Sequence, residues 1–248
     1  MAITIKNDKH IKCMKEAGKI NKQALDLLEK HIKPGISTKE LDQIAFDFIK
    51  SNDATPSFKG YGGFPATICA SVNNQLIHGI PSDFILKDGD IISIDIGTYK
   101  NGFHADAART FAVGNISDEA KKLIDVTKQS FFEGIKFAKP GYYLYDISAS
   151  IQKYIEDNGF SVVKDYVGHG IGKNLHEDPQ VPNYKPFGKG PKLISGMTLA
   201  IEPMVNAGAR HIEVLQDGWT VVTKDGSLSA HYENTVLITQ GEPEILTL

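Results

Sequence analysis

Two aspartates, Asp95 and Asp106, lie on either side of a predicted tight turn in the stretch IDIGTYKNGFHAD. The turn is Asn101-Gly102, a pair typical of type I′ hairpins because both turn residues need a positive φ. With that turn, Asp95 faces Ala108 and Asp106 faces Gly97, so the carboxylates share one face of the ladder as diagonal neighbours. Burying two like charges is costly unless a cation lies between them. The hairpin alone leaves two interpretations open, namely part of a cation site or two solvated strand carboxylates.

An internal repeat links this hairpin to a distant carboxylate. KPGISTKELD resembles the later KPGYYLYDIS, and LKDGDIISID resembles the later LISGMTLAIE, at nearly the same separation. The repeat predicts two similar halves, roughly 33–106 and 139–233, within one domain spanning 1–248. If the halves pack about a pseudo-twofold axis, Glu202 takes the place equivalent to Asp95.

Other acidic and imidazole side chains could join these carboxylates. Glu233, in an apolar strand-like run, is the best partner for Glu202, and His169 lies in a glycine-flanked bend where a ligand could approach closely. Four carboxylates and one imidazole suit two divalent ions about 3.5–4 Å apart better than one ion. Such ligands favour Co, Mn, Fe or Zn, and a two-ion centre can activate a water molecule that attacks a carbonyl. The predicted ligands are Asp95, Asp106, His169, Glu202 and Glu233.

Hydrophobic periodicity and capping residues predict the elements that position these groups. Helices are predicted over 8–32, from Ser37 to Ser51, from Ser117 to about Ala138 and from Leu144 to Asn158. Strands are predicted at 66–71, within 86–98, and near 161–167, 197–202, 210–215, 219–223 and 229–239. These elements indicate an α+β class in which the two halves form one sheet with helices on its outside.

Composition excludes several classes of protein. The chain has 248 residues and a net charge of −3, so no general basic field favours nucleic acid or a membrane surface. No apolar run approaches the roughly 18 residues of a membrane-spanning helix, and MAITIKNDKH lacks the apolar core of a signal peptide. Cys13 and Cys69, the only cysteines, indicate a reducing compartment. We therefore expect a cytoplasmic protein that binds neither DNA nor a membrane.

The motifs of the chain resemble those of type I methionine aminopeptidases, which have the pita-bread fold. The resemblance covers essentially the whole chain and depends on HGIP (78–81), the IDIG…GFHAD hairpin, GHGIG…LHEDPQ (168–180), AIEPMV (200–205), DGWTVVTKDGSLSA (217–230) and YENT (232–235). It implies two pseudo-symmetric halves that form a curved antiparallel sheet with helices on its outer face. The interval from Glu202 to Glu233 is too short for the helical insert of type II enzymes, so the chain is similar to the minimal bacterial form.

The resemblance also implies roles for the five predicted ligands. Asp106 and Glu233 would bridge the ions, Asp95 would chelate one, and His169 with Glu202 would complete the other. A metal-bridging water would attack the scissile carbonyl, with Glu202 as its proton relay. The free α-amine of the substrate would bind one ion, which would restrict cleavage to the first residue.

Further site residues are implied in the same way. His176 would contact the carbonyl oxygen of the substrate and its tetrahedral successor, and His78 would lie near the scissile amide and assist the leaving amine. An aromatic and apolar set would form the pocket for the methionine side chain, whose flexible thioether packs well on rings. That set is Tyr61, Phe64, Cys69 and Trp219, with Phe58 and Leu175 as further members.

A few residues depart from the family pattern or have no assigned role. Phe58 stands where some members carry Cys, and Leu175 stands where Phe is frequent, so both affect the shape of the pocket. Asn234 stands where His is usual and affects the hydrogen bonds around the ligands. His104 and His231 each precede a predicted ligand by two residues, and we interpret them as lying around the ligands or at the surface.

The resemblance predicts a metallo-exopeptidase that removes the initiator methionine from nascent proteins with a small second residue. Its partner would be the N-terminal Met of a nascent polypeptide, with a transient ribosome contact by analogy. One alternative is a proline-directed aminopeptidase or prolidase-like peptidase, which usually carries an additional N-terminal domain. Another is a catalytically inactive pita-bread binding protein, against which the intact ligand set argues. A third is a module that docks chiefly on the ribosome or RNA through the lysines of the first helix.

Overall fold

A computed structural model describes residues 2–248 of the chain. The helices are α1 (Asp8–His31), α2 (Thr38–Ser51), α3 (Asp118–Ile135) and α4 (Leu144–Asp157), and a short 3-10 turn covers Tyr61–Gly63. The strands are β1 (Thr55–Pro56), β2 (Ile68–Val72), β3 (Gln75–Ile77), β4 (Ile91–Lys100), β5 (Phe103–Ala112), β6 (Ser161–Val162), β7 (Gly168–Gly170), β8 (Glu177–Val181), β9 (Thr198–Ile201), β10 (Met204–Asn206), β11 (Ile212–Val214), β12 (Val221–Thr223), β13 (Ser229–His231), β14 (Asn234–Leu237) and β15 (Glu244–Ile245).

The strands pair antiparallel in four sheets among the described residues. In the first sheet β4 pairs with β5 on one edge and with β1 and β2 on the other. The largest sheet has the order β15-β14-β9-β7-β8. Two smaller sheets have the orders β13-β10-β6 and β11-β12-β3.

Side-chain caps begin the helices at the positions that the sequence predicts. Ser37 Oγ accepts a hydrogen bond from the Glu40 N–H at 3.1 Å, and Glu40 Oε2 accepts one from the Ser37 N–H at 2.8 Å. This is the predicted capping box of α2, in which two otherwise unpaired N–H groups are satisfied. Ser117 caps α3 by accepting a bond from the Ala120 N–H at 3.1 Å.

The β4–β5 hairpin has the predicted turn and register. Asn101 and Gly102 have φ values of 51° and 84°, the left-handed conformations that a type I′ turn requires. Asp95 pairs with Ala108 and Asp106 pairs with Gly97, as the turn geometry predicts. The two aspartates therefore lie on one face of the hairpin as diagonal neighbours, which confirms the sequence-based pairing.

Strand alternation separates a helix-covered face from a site-bearing face. Ile94 and Ile96 of β4 are fully buried in a core with residues of α1 and α2, so Asp95 between them points to the opposite face. On β9, Leu199 and Ile201 pack into a second core with residues of α3 and α4. Glu202, directly after Ile201, lies on the opposite face of that strand.

The first and second halves of the chain join at the edge of β5. Ala108 and Glu233 exchange both backbone hydrogen bonds, at 3.3 and 2.9 Å, in the manner of an antiparallel pair. Thr235 Oγ1 accepts from the N–H of Asp106 and donates to its carbonyl oxygen, each at 2.9 Å. These bonds place the hairpin and the second-half strands side by side.

Some predicted elements differ in the structure. The strand predicted over 229–239 is divided, because β13 pairs with β10 whereas β14 pairs with β9. His169 lies in strand β7 and not in a bend. The sequence-based reading also missed β8, whose short polar run with a proline does not alternate. Within residues 2–248, no helix has both the length and the hydropathy needed to cross a bilayer.

Candidate metal centre

A row of paired residues places three predicted site residues on one face. Asp95 is opposite Cys69 of β2 on one side and opposite Ala108 of β5 on the other. Glu233 is bonded to Ala108 from the next segment. Since directly opposed residues point to the same face of a sheet, the side chains of Cys69, Asp95 and Glu233 project together into one pocket. Ala108 keeps the middle of the row small, which leaves space between the two carboxylates.

His169 presents one ring nitrogen to the carboxylates because the backbone carbonyl of Gly170 occupies the other. Its Nδ1 lies 2.8 Å from the carbonyl oxygen of Gly170, the arrangement that fixes a ligating imidazole with its Nε2 lone pair outward. Nε2 then lies 4.0 Å from Oδ2 of Asp106 and 3.7 Å from Oε1 of Glu202. A ligand shared between these three groups would therefore face one nitrogen and two carboxylate oxygens.

The glycines beside His169 serve strand packing. A Cβ on Gly168 would lie 2.3 Å from the carbonyl oxygen of Ala200, and one on Gly170 would lie 2.2 Å from that of Asp178. Both distances are far below any tolerated contact, so β8 and β9 can approach β7 this closely only at glycine. The sequence-based reading assigned these glycines to ligand approach, and the structure assigns them to the neighbouring strands.

The carboxylates are buried without the partners that buried charges need. Asp106 and Glu233 are 4% and 2% exposed. Among the described residues, one oxygen each of Asp95, Asp106 and Glu233 has no hydrogen-bond partner. The pKa of Asp95 is raised to about 7, chiefly by burial and also by the neighbouring Glu202 carboxylate, against an opposing effect of His231. Burial also raises the pKa values of Asp106, Glu202 and Glu233 well above their usual range.

The donor set fits divalent cations. Buried, unpaired carboxylate oxygens carry a large desolvation cost that a cation offsets. Within residues 2–248, two sets of three side chains each have potential ligand atoms that all lie within 4.8 Å of one another. One set is Asp106, His169 and Glu233, and the other is Glu202, His231 and Glu233. Because Glu233 belongs to both groups and Asp95 adds a further carboxylate in the same pocket, the cluster has enough donors for two ions.

A cavity of about 200 Å³ opens over this cluster. It is smaller than the roughly 300–1,000 Å³ typical of sites for drug-sized ligands, so it suits a single side chain with the groups next to it. The walls contain all of the residues predicted for the substrate pocket, namely Phe58, Tyr61, Phe64, Cys69, His78, Leu175, His176 and Trp219. The sequence-based reading missed three lining residues, Ile77, Tyr166 and Val167, because none has a distinctive residue type or spacing.

Aromatic contacts build one end of the pocket. Phe64 and Trp219 meet edge to face with ring centroids 5.2 Å apart. His78 lies edge-on to Tyr166 at 5.7 Å and near Trp219 at 6.4 Å. Edge-to-face pairs of this kind stabilise the ring arrangement by a free energy additional to that gained from burying the rings. Burial raises the pKa of the Cys69 thiol, so this side chain is a neutral wall of the pocket and not a thiolate nucleophile.

His176 lines the pocket between His169 of the cluster and the exposed Tyr61. Its Nδ1 lies 2.7 Å from the hydroxyl of Tyr61, and its ring lies 4.3 Å from that of His169. Burial lowers the pKa of His176, and burial lowers the pKa of His78 to about 4. Both imidazoles are therefore neutral near pH 7 and can each offer one N–H donor.

The residues that depart from the family pattern have clear contacts. Asn234 Oδ1 accepts hydrogen bonds from Arg109 at 2.6 Å and from the hydroxyl of Thr247 at 3.0 Å. Asn234 therefore ties the strand next to Glu233 to the C-terminal segment. Phe58 lines the pocket and packs against Gly97, where an added Cβ would lie 2.7 Å from its ring.

His231 and His104 differ in burial and in contacts, although each precedes a predicted ligand by two residues. His231 is 1% exposed, and its Nε2 lies 3.5 Å from Oε2 of Glu202. His104 is only partly buried and bonds to the hydroxyl of Ser57 at 2.8 Å. Of the two placements that the sequence left open, His231 therefore takes the one around the ligands, because it lies among the carboxylates.

The comparisons with known proteins agree along the whole chain. A model of metallopeptidase family M24 matches residues 12–240. A methionine aminopeptidase of Clostridium perfringens is 61% identical over 246 residues, which is 99% of each protein. A crystal structure of methionine aminopeptidase from Rickettsia prowazekii covers 100% of both chains with a TM-score of 0.98 and 42% identity. The prolidase from Pyrococcus horikoshii covers 98% of this chain but 63% of its own, with a TM-score of 0.81 and 24% identity, so that likeness concerns the fold alone. The predicted fold is confirmed.

Proposed function

The chain belongs to metallopeptidase family M24 as a methionine aminopeptidase, and from this premise we propose that it removes the initiator methionine from nascent proteins whose second residue is small. The observation that carries the proposal is a buried cluster of unpaired carboxylate oxygens at the base of a small aromatic pocket. The cluster provides a place for metal ions, and the pocket provides a place for one side chain.

The metal centre would be held by Asp95, Asp106, His169, Glu202 and Glu233. Two divalent ions of the Co, Mn, Fe or Zn type would supply Lewis acidity and a water molecule with a lowered pKa. The residues themselves supply orientation. His169 is fixed through its bond to Gly170, and Asp106 is fixed through both of its backbone bonds to Thr235.

Glu202 is the proposed proton relay. Its carboxylate is largely buried, and burial raises its pKa, which favours the uptake of a proton from the attacking water. Asn183 donates a hydrogen bond to its backbone carbonyl oxygen at 2.9 Å, which fixes the point from which the side chain extends.

His176 and His78 are the proposed substrate contacts. A neutral His176 can donate an N–H to the carbonyl oxygen of the scissile bond, where negative charge develops. Tyr61, bonded to the other nitrogen of His176, holds that ring in place. His78 lines the same pocket, where a neutral imidazole can assist the leaving amine.

The proposed methionine pocket is formed mainly by Tyr61, Phe64, Cys69 and Trp219, with Phe58 and Leu175 completing its walls. A flexible thioether fills an irregular apolar pocket well, and sulfur packs favourably on aromatic rings. Both halves of the chain contribute to this site, which supports the proposal of one catalytic domain over 1–248.

A transient ribosome contact is proposed through the lysines of α1, several of which are exposed. Acidic neighbours offset part of this face, since Lys15 pairs with Glu244 at 2.7 Å and Lys22 pairs with Asp26 at 2.6 Å. Ribosome co-sedimentation that survives charge reversal at Lys12 and Lys15 would exclude this surface. The proposed location is the cytoplasm, where nascent chains are made. The two free cysteines agree with that location, because disulfides are rare in a reducing compartment.

The experiment compares peptides that separate the candidate activities. Purified protein with a divalent metal is expected to release Met from Met-Ala-Ser and to release little from Met-Lys-Ser, whose second residue is large. A proline-directed peptidase would instead prefer an Xaa-Pro peptide, and a binding protein of this fold would release nothing. Asp106→Asn is the matched negative control, since it removes one ligand charge and keeps the side-chain shape.

A further inference from the structure

His231 occupies a buried position in the centre that the five-residue ligand set does not explain. Neither ring nitrogen has a hydrogen-bond partner among residues 2–248. Nε2 lies 3.5 Å from Oε2 of Glu202, and a ring nitrogen shares a group of potential ligand atoms with oxygens of Glu202 and Glu233. A fully buried imidazole without a partner is costly, so its placement calls for a role.

The backbone of His231 is fixed by the hairpin that carries the two aspartates. Its N–H donates to Thr110 Oγ1 at 2.9 Å, and the same hydroxyl donates to its carbonyl oxygen at 2.9 Å. Ser93 bonds to Thr110 Oγ1 at 2.8 Å, and β10 pairs with the other side at Met204. The ring of His231 therefore starts from a point that both β5 and β10 hold in place.

Glu202 lies between two imidazoles. Its Oε1 faces His169 at 3.7 Å, and its Oε2 faces His231 at 3.5 Å. We propose that His231 is a positioning residue that donates its Nε2–H to Oε2 of Glu202 and so keeps the other oxygen directed toward His169 and the ions. This inference depends on the proposed function, because it assumes that Glu202 is a ligand and proton relay.

Direct coordination is the competing role for this imidazole. A ring nitrogen of His231 lies within 4.8 Å of carboxylate oxygens of Glu202 and Glu233, close enough for one ion to contact all three. The two roles differ in what the ion contacts. If His231 only positions Glu202, replacing it with an amide donor leaves the ligands of the ion unchanged. If His231 is itself a ligand, the same replacement removes a nitrogen from the ion.

The test uses three variants of the full-length protein. His231→Gln keeps an N–H donor at about the same reach, His231→Asn keeps the donor but is too short, and His231→Leu has similar size and no donor. The matched control is His104→Gln, since His104 also precedes a ligand by two residues but bonds to Ser57 outside the cluster. Each variant is compared with wild type for folding by circular dichroism, Mn²⁺ affinity by calorimetry, kcat and KM on Met-Ala-Ser, and the visible spectrum with Co²⁺.

We expect the glutamine variant to stay within about threefold of wild type in kcat and Mn²⁺ affinity. The leucine and asparagine variants are expected to lose about 10–100-fold in kcat or metal affinity, the size typical for residues that orient metal ligands, with KM nearly unchanged. The Co²⁺ spectrum of His231→Gln should match that of wild type. If the leucine variant does not fold, the difference in kcat and Mn²⁺ affinity between His231→Gln and His231→Asn tests the proposal.

Either of two results would overturn the inference. One is equal Mn²⁺ affinity and kcat in wild type and in every folded variant that lacks a reaching donor. The other is a Co²⁺ spectrum of His231→Gln that shows a lost nitrogen ligand. Failure of the proposed function is distinguishable, because it would appear as absent Met release by wild type, while the Mn²⁺ affinities would still report on His231.

Discussion

Replacing Asp95 with asparagine is expected to stabilise the metal-free protein while it weakens metal binding and removes activity. The wild-type carboxylate is buried beside Glu202, and burial raises its pKa to about 7. Asparagine has nearly the same shape and no charge. The substitution therefore removes an electrostatic cost that only bound cations offset.

The magnitude follows from the pKa difference between the folded and unfolded states. The gap between about 7 and an ordinary value of about 3.9 corresponds to about 4 kcal/mol in the free energy of unfolding above neutral pH. Because the neighbouring carboxylates share protons with Asp95, we expect a measured gain of about 1–4 kcal/mol. The folded state binds more protons than the unfolded state between about pH 4 and 7, so the stability of metal-free wild type falls as pH rises through that window.

Urea unfolding in excess chelator measures this effect. Wild type is expected to lose stability between about pH 4 and 7, and Asp95→Asn is expected to lose less, with the two proteins converging near pH 4. Saturating Mn²⁺ should stabilise wild type more than the variant. Asp83→Asn is the control, because Asp83 is an exposed carboxylate that pairs with Lys39 at 3.3 Å. Identical pH slopes for wild type and Asp95→Asn in chelator would refute the reasoning.

Three further substitutions test other parts of the site. Glu202→Gln should lower kcat on Met-Ala-Ser by about 10²–10⁴ because it removes the proton relay, and a circular dichroism spectrum should show an intact fold; retained turnover would contradict that role. Trp219→Ala should raise KM for Met-Ala-Ser by opening the pocket wall, and an unchanged KM would exclude Trp219 as a side-chain contact. Asn234→Ala should lower the free energy of unfolding by about 1–3 kcal/mol, measured in urea, because it removes the oxygen that accepts hydrogen bonds from both the partly buried Arg109 and Thr247. Unchanged stability would contradict this contribution of Asn234.

The local parts of this site could be predicted from sequence because short-range rules determine them. The Asn101-Gly102 turn sets the register of its own hairpin, and that register alone places Asp95 and Asp106 on one face. Glu202 was reachable through the repeat, which carries the position of Asp95 into the second half. The capping box at Ser37 is likewise a local pattern.

Long-range pairing explains most of what the sequence left open. The run over 229–239 looks like one strand, but its two ends pair with different strands on either side of Glu233. That division sets the positions of His231 and Asn234, which point to Glu202 and to Arg109 respectively. His104 and His231 have the same spacing from a predicted ligand, so the sequence does not distinguish them. In the folded chain His104 contacts Ser57, whereas His231 contacts Glu202.

The central claim is that the five-residue cluster binds the ions on which methionine release depends. The most direct measurement titrates chelator-treated protein with Mn²⁺ or Co²⁺ while it follows both bound metal and Met release from Met-Ala-Ser. We expect no release without metal, release that rises with occupancy, and neither strong binding nor release in Asp106→Asn. Release by wild type in excess chelator, or wild-type metal affinity in Asp106→Asn, would contradict the claim.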